Sequence, residues 1–267
     1  MTELVAASAG GYLVRALDEG RGTNVLVVHP GGGDVAAWDG VVRLLSGEFR
    51  VVRVRRRIYV RGAEVVLPHS MSVEAADIVA VARLLDGPTL LVGHSSGAVA
   101  ALEAALLEPS AFDGMVLYEP PMPTKHLVAG AAGVRARALL DAGDAGEAMR
   151  VHMRDIVGMP AEMVDGMFAE PQVRAMFAKV AAAQIADDEA IDALGTGIGR
   201  FASLDVPAVL VEGDQSPAHL RERLADLADV LPEARVVTLA GQGHVAHLTA
   251  PDVLARIVRD AAEPFSS

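Results

Sequence analysis

Residues 88 to 109 read PTLLVGHSSGAVAALEAALLEP, an apolar run that meets Gly93-His94-Ser95-Ser96-Gly97 and passes at once into helix-forming text. A strand turns into a helix this abruptly only where the residues flanking the bend leave space, which glycine at 93 and 97 provides. The serine between them is left at the corner, its hydroxyl displayed beyond the strand's carboxyl end, as in a nucleophile elbow. A lone Gly-x-Ser-x-Gly is a weak signal in a chain with 26 glycines, so the strand before it and the helix after it give it meaning.

The surrounding text agrees with such a bend. Strand-like apolar runs fall at 12–17, 25–28, 50–54, 89–92, 115–118, 208–211 and 235–239. Helical spacing separates most of them, at 35–45, 73–85, 98–107, 218–228 and 251–261. Short, fully apolar strands alternating with amphipathic helices predict an α/β fold with a mostly parallel sheet covered on both faces. Ligands of open sheets of this kind bind beyond the carboxyl ends of the strands.

Composition narrows the chemistry. The 267 residues suffice for a self-supporting core, and the absence of cysteine excludes disulfide scaffolds, thiol nucleophiles and cysteine metal sites. A net charge of −12 argues against nucleic acid as a partner. No apolar run approaches the ~18 residues of a membrane span, and the first twenty residues carry no secretory pattern. The expectation is a soluble cytoplasmic protein with no membrane partner.

From about Pro123 to Ser203 strand runs disappear and the text becomes helical, predicting a helical cap over 123–203 inserted into a core of 1–122 and 204–267. Seven of the ten methionines lie between Met122 and Met176. Individually they suit packing of the insert, and together they suit an adaptable apolar acyl pocket. Arg50, Arg53, Arg55, Arg56, Arg57 and Arg61 crowd one stretch of this acidic chain. They read either as an attractor for a carboxylate or phosphate-bearing acyl group or, more simply, as outward arginines on a strand running into a solvated loop.

A serine hydroxyl needs a base to take its proton, and the base needs a carboxylate to fix its tautomer. Near the C-terminus the strand at 235–239 runs into Ala240-Gly241-Gln242-Gly243-His244, which places His244 on a glycine-rich loop at a strand's carboxyl end. It is the candidate base. His29-Pro30-Gly31-Gly32-Gly33 follows an earlier strand, and backbone N–H groups in such a turn approach an oxyanion without side chains in the way.

Taken in order, the Gly93–Gly97 elbow, the His29–Gly33 loop, the helical insert and Gly243-His244 before a final helix resemble an α/β-hydrolase-fold serine hydrolase over nearly the whole chain. The resemblance implies an esterase- or thioesterase-like enzyme with a small-molecule ester or thioester substrate and no cofactor. It implies oxyanion donors at Ser96 and at Gly31, with Gly32 the alternative, because Pro30 stands where the family usually has glycine. Epoxide and haloalkane hydrolases of this fold need aspartate where this chain has Ser95.

The acid is open between two positions. The family's common Gly-x-x-Asp slot falls on Gly213-Asp214-Gln215-Ser216 and puts serine at the acid's place, with Asp214 two positions early. The other placement is the end of the strand at 115–118, where Glu119 is stopped by Pro120 and Pro121 and so held rigidly. Glu119 is favoured, Asp214 reads otherwise as a helix N-cap near Pro217, and Glu212 is a distant third. Among the other histidines, His94 reads as support for the elbow and His29 as a core-edge residue bonding its loop. His244 and His247 lack a third ligand for a metal site, and His69, His126, His152 and His219 read as surface or insert residues. Trp38 reads as packing, with pocket lining the minor alternative. A non-hydrolytic protein of the same fold, binding a small ligand or acting as a lyase or cyclase, is the rival reading, because one scaffold hosts many functions.

Overall fold

Eight strands form one sheet in a computed structural model of the chain, which describes residues 1–60 and 67–265. They are β1 (Thr2–Ala7), β2 (Leu13–Gly20), β3 (Asn24–Val28), β4 (Arg50–Val54), β5 (Thr89–His94), β6 (Gly114–Tyr118), β7 (Ala208–Gly213) and β8 (Ala234–Leu239). Their spatial order is β1-β2-β4-β3-β5-β6-β7-β8; β1 and β2 run antiparallel to their neighbours and the rest are parallel. All seven expected strands are present, and β1 is an addition. Its apolar run at 4–7 is short and largely solvent-facing, with only Ala6 buried along the sheet's edge.

Alternation along the strands divides the interior into two layers. Leu26, Val28, Val52, Leu91, Met115, Leu117 and Leu210 face one layer, and Val25, Val27, Val51, Val92, Val116 and Val211 face the other. Helices α1 (Asp39–Leu45) and α11 (Pro251–Ala262) close the second layer, while α2 (Met71–Ala82), α3 (Ser96–Leu107) and α9 (Ala218–Ala228) close the first. The alanines of α3 let it lie directly on the sheet, with Ala98, Ala101 and Ala105 fully buried. A four-residue helix, α10 (Ala246–Thr249), precedes α11.

Between β6 and β7 the chain leaves the sheet for five helices: α4 (Gly130–Asp141), α5 (Ala145–Val151), α6 (Ala161–Ala169), α7 (Pro171–Ala178) and α8 (Ala181–Asp192), with a π turn at His152–Ile156. Met149, Val164, Phe168 and Ala181 form a separate apolar cluster there, joined by Met153, Met159, Met167 and Phe177. Packing thus accounts for most of the methionines without a pocket; Met163 and Met176 are exposed.

The arginine stretch departs from both of its expected readings. Arg53, Arg56 and Arg57 are buried, and the protein's own carboxylates take up the charges. Arg50 pairs with Asp18 at 2.9 Å, Arg53 with Glu19 and Asp39, Arg56 with Glu74 and Asp187, and Arg57 with Asp77. Arg55 lies 3.7 Å from Glu3. Arg61 lies outside the described residues. A charge taken out of water persists only when paired, so the buried Glu74 and Asp77 on the apolar face of α2 are the counterparts the arginine run needed.

Candidate active site

The parallel strands reverse their order of addition between β3 and β5, the point where open α/β sheets leave a crevice at the strands' carboxyl ends. The His29–Gly33 loop follows β3 and Ser95 follows β5.

Ser95 adopts φ 54° and ψ −128°, a sparsely populated conformation costing ~1–3 kcal/mol. Its surroundings hold it there: its N–H donates to the Tyr118 carbonyl at 2.8 Å, and its own carbonyl accepts the N–H groups of Ala98 and Val99 at 2.8 and 3.2 Å. The flanking glycines are required by space. A Cβ on Gly97 would lie 2.3 Å from the His29 carbonyl oxygen, and one on Gly93 would lie 2.5 Å from the Ala98 Cα.

Glu119, one residue past β6, repeats the device, with φ 45° and an N–H that donates to the Val211 carbonyl at 3.0 Å. Its side chain is fully buried. Oε1 accepts the Gly213 N–H at 2.7 Å, and Oε2 lies 2.5 Å from Nδ1 of His244. A carboxylate only accepts, so Nδ1 carries the hydrogen and Nε2 presents its lone pair to Ser95 Oγ, 3.0 Å away. The structure therefore brings Ser95, His244 and Glu119 into one hydrogen-bonded chain across 149 positions of sequence.

Asp214 and Glu212 stand outside that chain. Asp214 does not cap a helix; its Oδ1 accepts the Gly241 N–H at 2.8 Å and so ties the loop after β7 to the loop after β8. Glu212 accepts the Thr238 hydroxyl at 2.8 Å. Ser216, in the alternative acid's slot, is buried.

Two further side chains fasten the histidine loop and were not singled out for it in the sequence. The Tyr118 hydroxyl donates to the Gly243 carbonyl and accepts the Ala246 N–H. His94 Nε2 donates to the His244 carbonyl at 3.0 Å, which ties the end of β5 to the histidine loop. His94 stacks on Tyr118 with ring centroids 4.5 Å apart and meets His247 at 4.6 Å, while His247 stacks on buried Trp38 at 6.4 Å. Burial, reinforced by neighbouring imidazoles, holds His94 well below the usual histidine range and His247 down to about 4. Both rings stay neutral at physiological pH and pack as aromatics.

Ser96 opens α3, so its N–H belongs to the first turn, where a helix supplies no carbonyl partner. Gly31 lies against two side-chain ends: a Cβ there would lie 2.6 Å from Gln184 Oε1 and 2.9 Å from the Tyr59 hydroxyl. Gly32 has φ +66° and gives the loop its left-handed bend. His29 donates from Nδ1 to the Pro30 carbonyl at 2.8 Å, and burial followed by the charge of Arg56 lowers it to about 4.

Of the histidines read as surface or insert residues, His69 is neither. Its side chain is buried and its Nε2 lies 3.3 Å from Asp187. His152 is buried inside the insert against Asp188 at 2.7 Å. Among the described residues no group of three or more His, Cys, Asp or Glu is arranged to hold a metal ion, and no helix is long and apolar enough to cross a membrane.

A model of the alpha/beta hydrolase family matches residues 25–257. The chain belongs to the alpha/beta hydrolase family. Among solved structures it is similar to an alpha/beta hydrolase from Sphaerobacter thermophilus, at 28% identity and TM-score 0.82, over 96% of this chain and 99% of that one. A thermophilic esterase from Thermogutta terrifontis shares the fold at 20% identity and TM-score 0.72 over 100% of both chains. An esterase from Exiguobacterium antarcticum does so at 16% identity and TM-score 0.75, over 97% of this chain and 98% of that one. No curated protein matches the chain significantly.

Proposed function

We propose that this alpha/beta hydrolase cleaves small carboxylic esters or thioesters through an acyl-enzyme on Ser95. The observation that carries the reading is the chain from Ser95 Oγ to His244 Nε2 at 3.0 Å and from His244 Nδ1 to Glu119 at 2.5 Å. Ser95 attacks the carbonyl carbon as His244 takes its proton, and Glu119 fixes the tautomer and stabilises the imidazolium. The N–H groups of Ser96 and Gly31 receive the oxyanion. His244 then gives the proton to the departing alcohol or thiol. Water, deprotonated in turn by His244, attacks the acyl carbon and releases the carboxylic acid with Ser95 restored.

In this reading residues 123–203 form a cap over a core of 1–122 and 204–267. The contact of Gln184, on α8, with Gly31 supports that placement.

The test is Ser95→Ala, assayed with p-nitrophenyl acetate and butyrate and with a fluorophosphonate probe. Turnover should fall at least ~10³-fold, and labelling should vanish. Undiminished turnover by the alanine variant would overturn the assignment. A wild-type protein that neither turns over esters nor takes the probe would instead be a non-hydrolytic member of the family with an idle site.

A further inference from the structure

Arg56 is completely buried, and its guanidinium is divided among three parts of the molecule. Nε donates to Glu74 of α2 at 2.9 Å, and one terminal nitrogen donates to Asp187 of α8 at 2.8 Å. The other donates to the Ser96 hydroxyl at 2.7 Å and to the His29 carbonyl at 3.4 Å. Asp187 also accepts the Tyr59 hydroxyl at 2.8 Å, and that hydroxyl and Gln184 are the two groups packed against Gly31. Ser96, the His29 carbonyl and Gly31 therefore all rest on one buried cluster anchored in α8.

None of these groups reaches Ser95 or His244 directly. Burial pushes the Asp187 carboxyl up, but Arg56, His69 and the Ser96 hydroxyl outweigh it and hold the group below the usual range, so the cluster keeps its charges. A planar guanidinium with donors in a fixed fork can satisfy three directions at once, which a compact ammonium cannot.

We propose that Arg56 is a positioning residue that sets both oxyanion donors, Ser96 and Gly31, against helix α8 of the insert. This rests on the acyl-enzyme reading above, and it makes the insert a structural part of the oxyanion site rather than a cover alone.

The experiment compares Arg56→Lys, Ser96→Ala and the double variant with wild type, using an activated short-chain ester and a trifluoromethyl ketone. Ser95 adds to that ketone to give a hemiketal whose anionic oxygen occupies the oxyanion site. Arg56→Lys should lower kcat about 10²-fold, the scale of a misplaced donor or a displacement of ~1 Å. KM should stay within about twofold, ketone affinity should fall in parallel with kcat/KM, and the acidic limb of the pH profile should not move, because His244 and Glu119 keep their contacts. Ser96→Ala should act in the same direction, and the double variant should lose no more than the worse single one. Should Arg56→Lys fail to fold, Ser96→Ala and Tyr59→Phe carry the same comparison. Unchanged kcat and ketone affinity, losses that multiply in the double variant, or a displaced pH limb would each overturn the proposal. Wild-type protein inert to fluorophosphonate would overturn the acyl-enzyme reading instead, whereas reactive wild type matched by Arg56→Lys defeats the positioning role alone.

Discussion

Glu119 accepts the Gly213 N–H on one carboxylate oxygen at 2.7 Å and faces His244 with the other. The backbone of β7 thereby decides which oxygen is left for the imidazole. Glu119→Gln preserves the size of the group but must offer its carbonyl oxygen to Gly213, because an NH₂ there would oppose another donor. The amide NH₂ then faces Nδ1, which must accept, and the hydrogen moves to the nitrogen facing Ser95. A base in that tautomer cannot take the serine proton, and kcat should fall by about 10⁴-fold. Asp214→Asn, which disturbs the contacts to the Gly241 N–H and the Gln215 side chain outside the hydrogen-bonded chain of Ser95, His244 and Glu119, should lose less than ~10-fold. Steady-state kinetics of the two variants decides the acid, and equal small losses would show that neither residue serves.

The glycines of the elbow offer a test on stability. A Cβ at position 97 would meet backbone oxygens of His29 and Val28 at 2.3 and 2.6 Å, and backbone cannot swing aside as a side chain does. Gly97→Ala should destabilise the protein by ~3 kcal/mol or more, the upper end of overpacking costs. Gly47 has open space around the same position, so Gly47→Ala should be near neutral. Urea unfolding of both variants measures the contrast, and similar midpoints would contradict the space argument.

Gly93 and Gly97 were legible in sequence because their constraint is local: strand, bend and helix are contiguous, and only glycine fits. Glu119 was narrowed to a favoured candidate for a related reason, since two prolines fix the chain immediately after it. The surroundings of Asp214 are not legible, because they depend on where the loops after β7 and β8 meet, and there its Oδ1 accepts the Gly241 N–H. Charge runs usually face solvent or attract an anion, and nothing near Arg56 in the text announces its partner Asp187, 131 residues away in the insert. The available signal was the acidic pairs inside apolar helical text, Glu74 with Asp77 and Asp187 with Asp188, which need buried cations. β1 is hard to read because its apolar run at 4–7 is only four residues long and two of them are alanines, which are poor strand formers.

Tyr118 should matter through the loop it fastens. Tyr118→Phe removes the donor to the Gly243 carbonyl and the acceptor of the Ala246 N–H, while the stack on His94 survives. The Ala246 N–H still donates to the Gly243 carbonyl at 3.2 Å, so the loss of the two hydroxyl bonds should cost only ~1 kcal/mol of stability. Looser placement of His244 should lower kcat more than it raises KM. Thermal unfolding and kinetics on one preparation check both effects, and an unchanged kcat would mean that His94 and Glu119 suffice to hold the imidazole.

Acid sensitivity should begin before the carboxylates titrate. Burial and, behind it, neighbouring positive charge lower His29 and His247 from 6.5 to about 4 in the folded protein. The unfolded chain therefore binds these protons first. Stability is at its full value above about pH 6.5, falls as pH drops toward about 4, and is then no longer changed by these two groups. Each shift corresponds to a loss on the order of 3 kcal/mol across that window. His247→Phe keeps a flat ring against Trp38 and removes one titrating group, and no hydrogen bond is lost at Nδ1, which has no partner. Urea midpoints measured from pH 7 to pH 4 should fall less steeply for the variant than for wild type, by up to one proton's worth of slope. Parallel curves would mean that His247 is protonated in the folded state and that its burial does not exclude the charge.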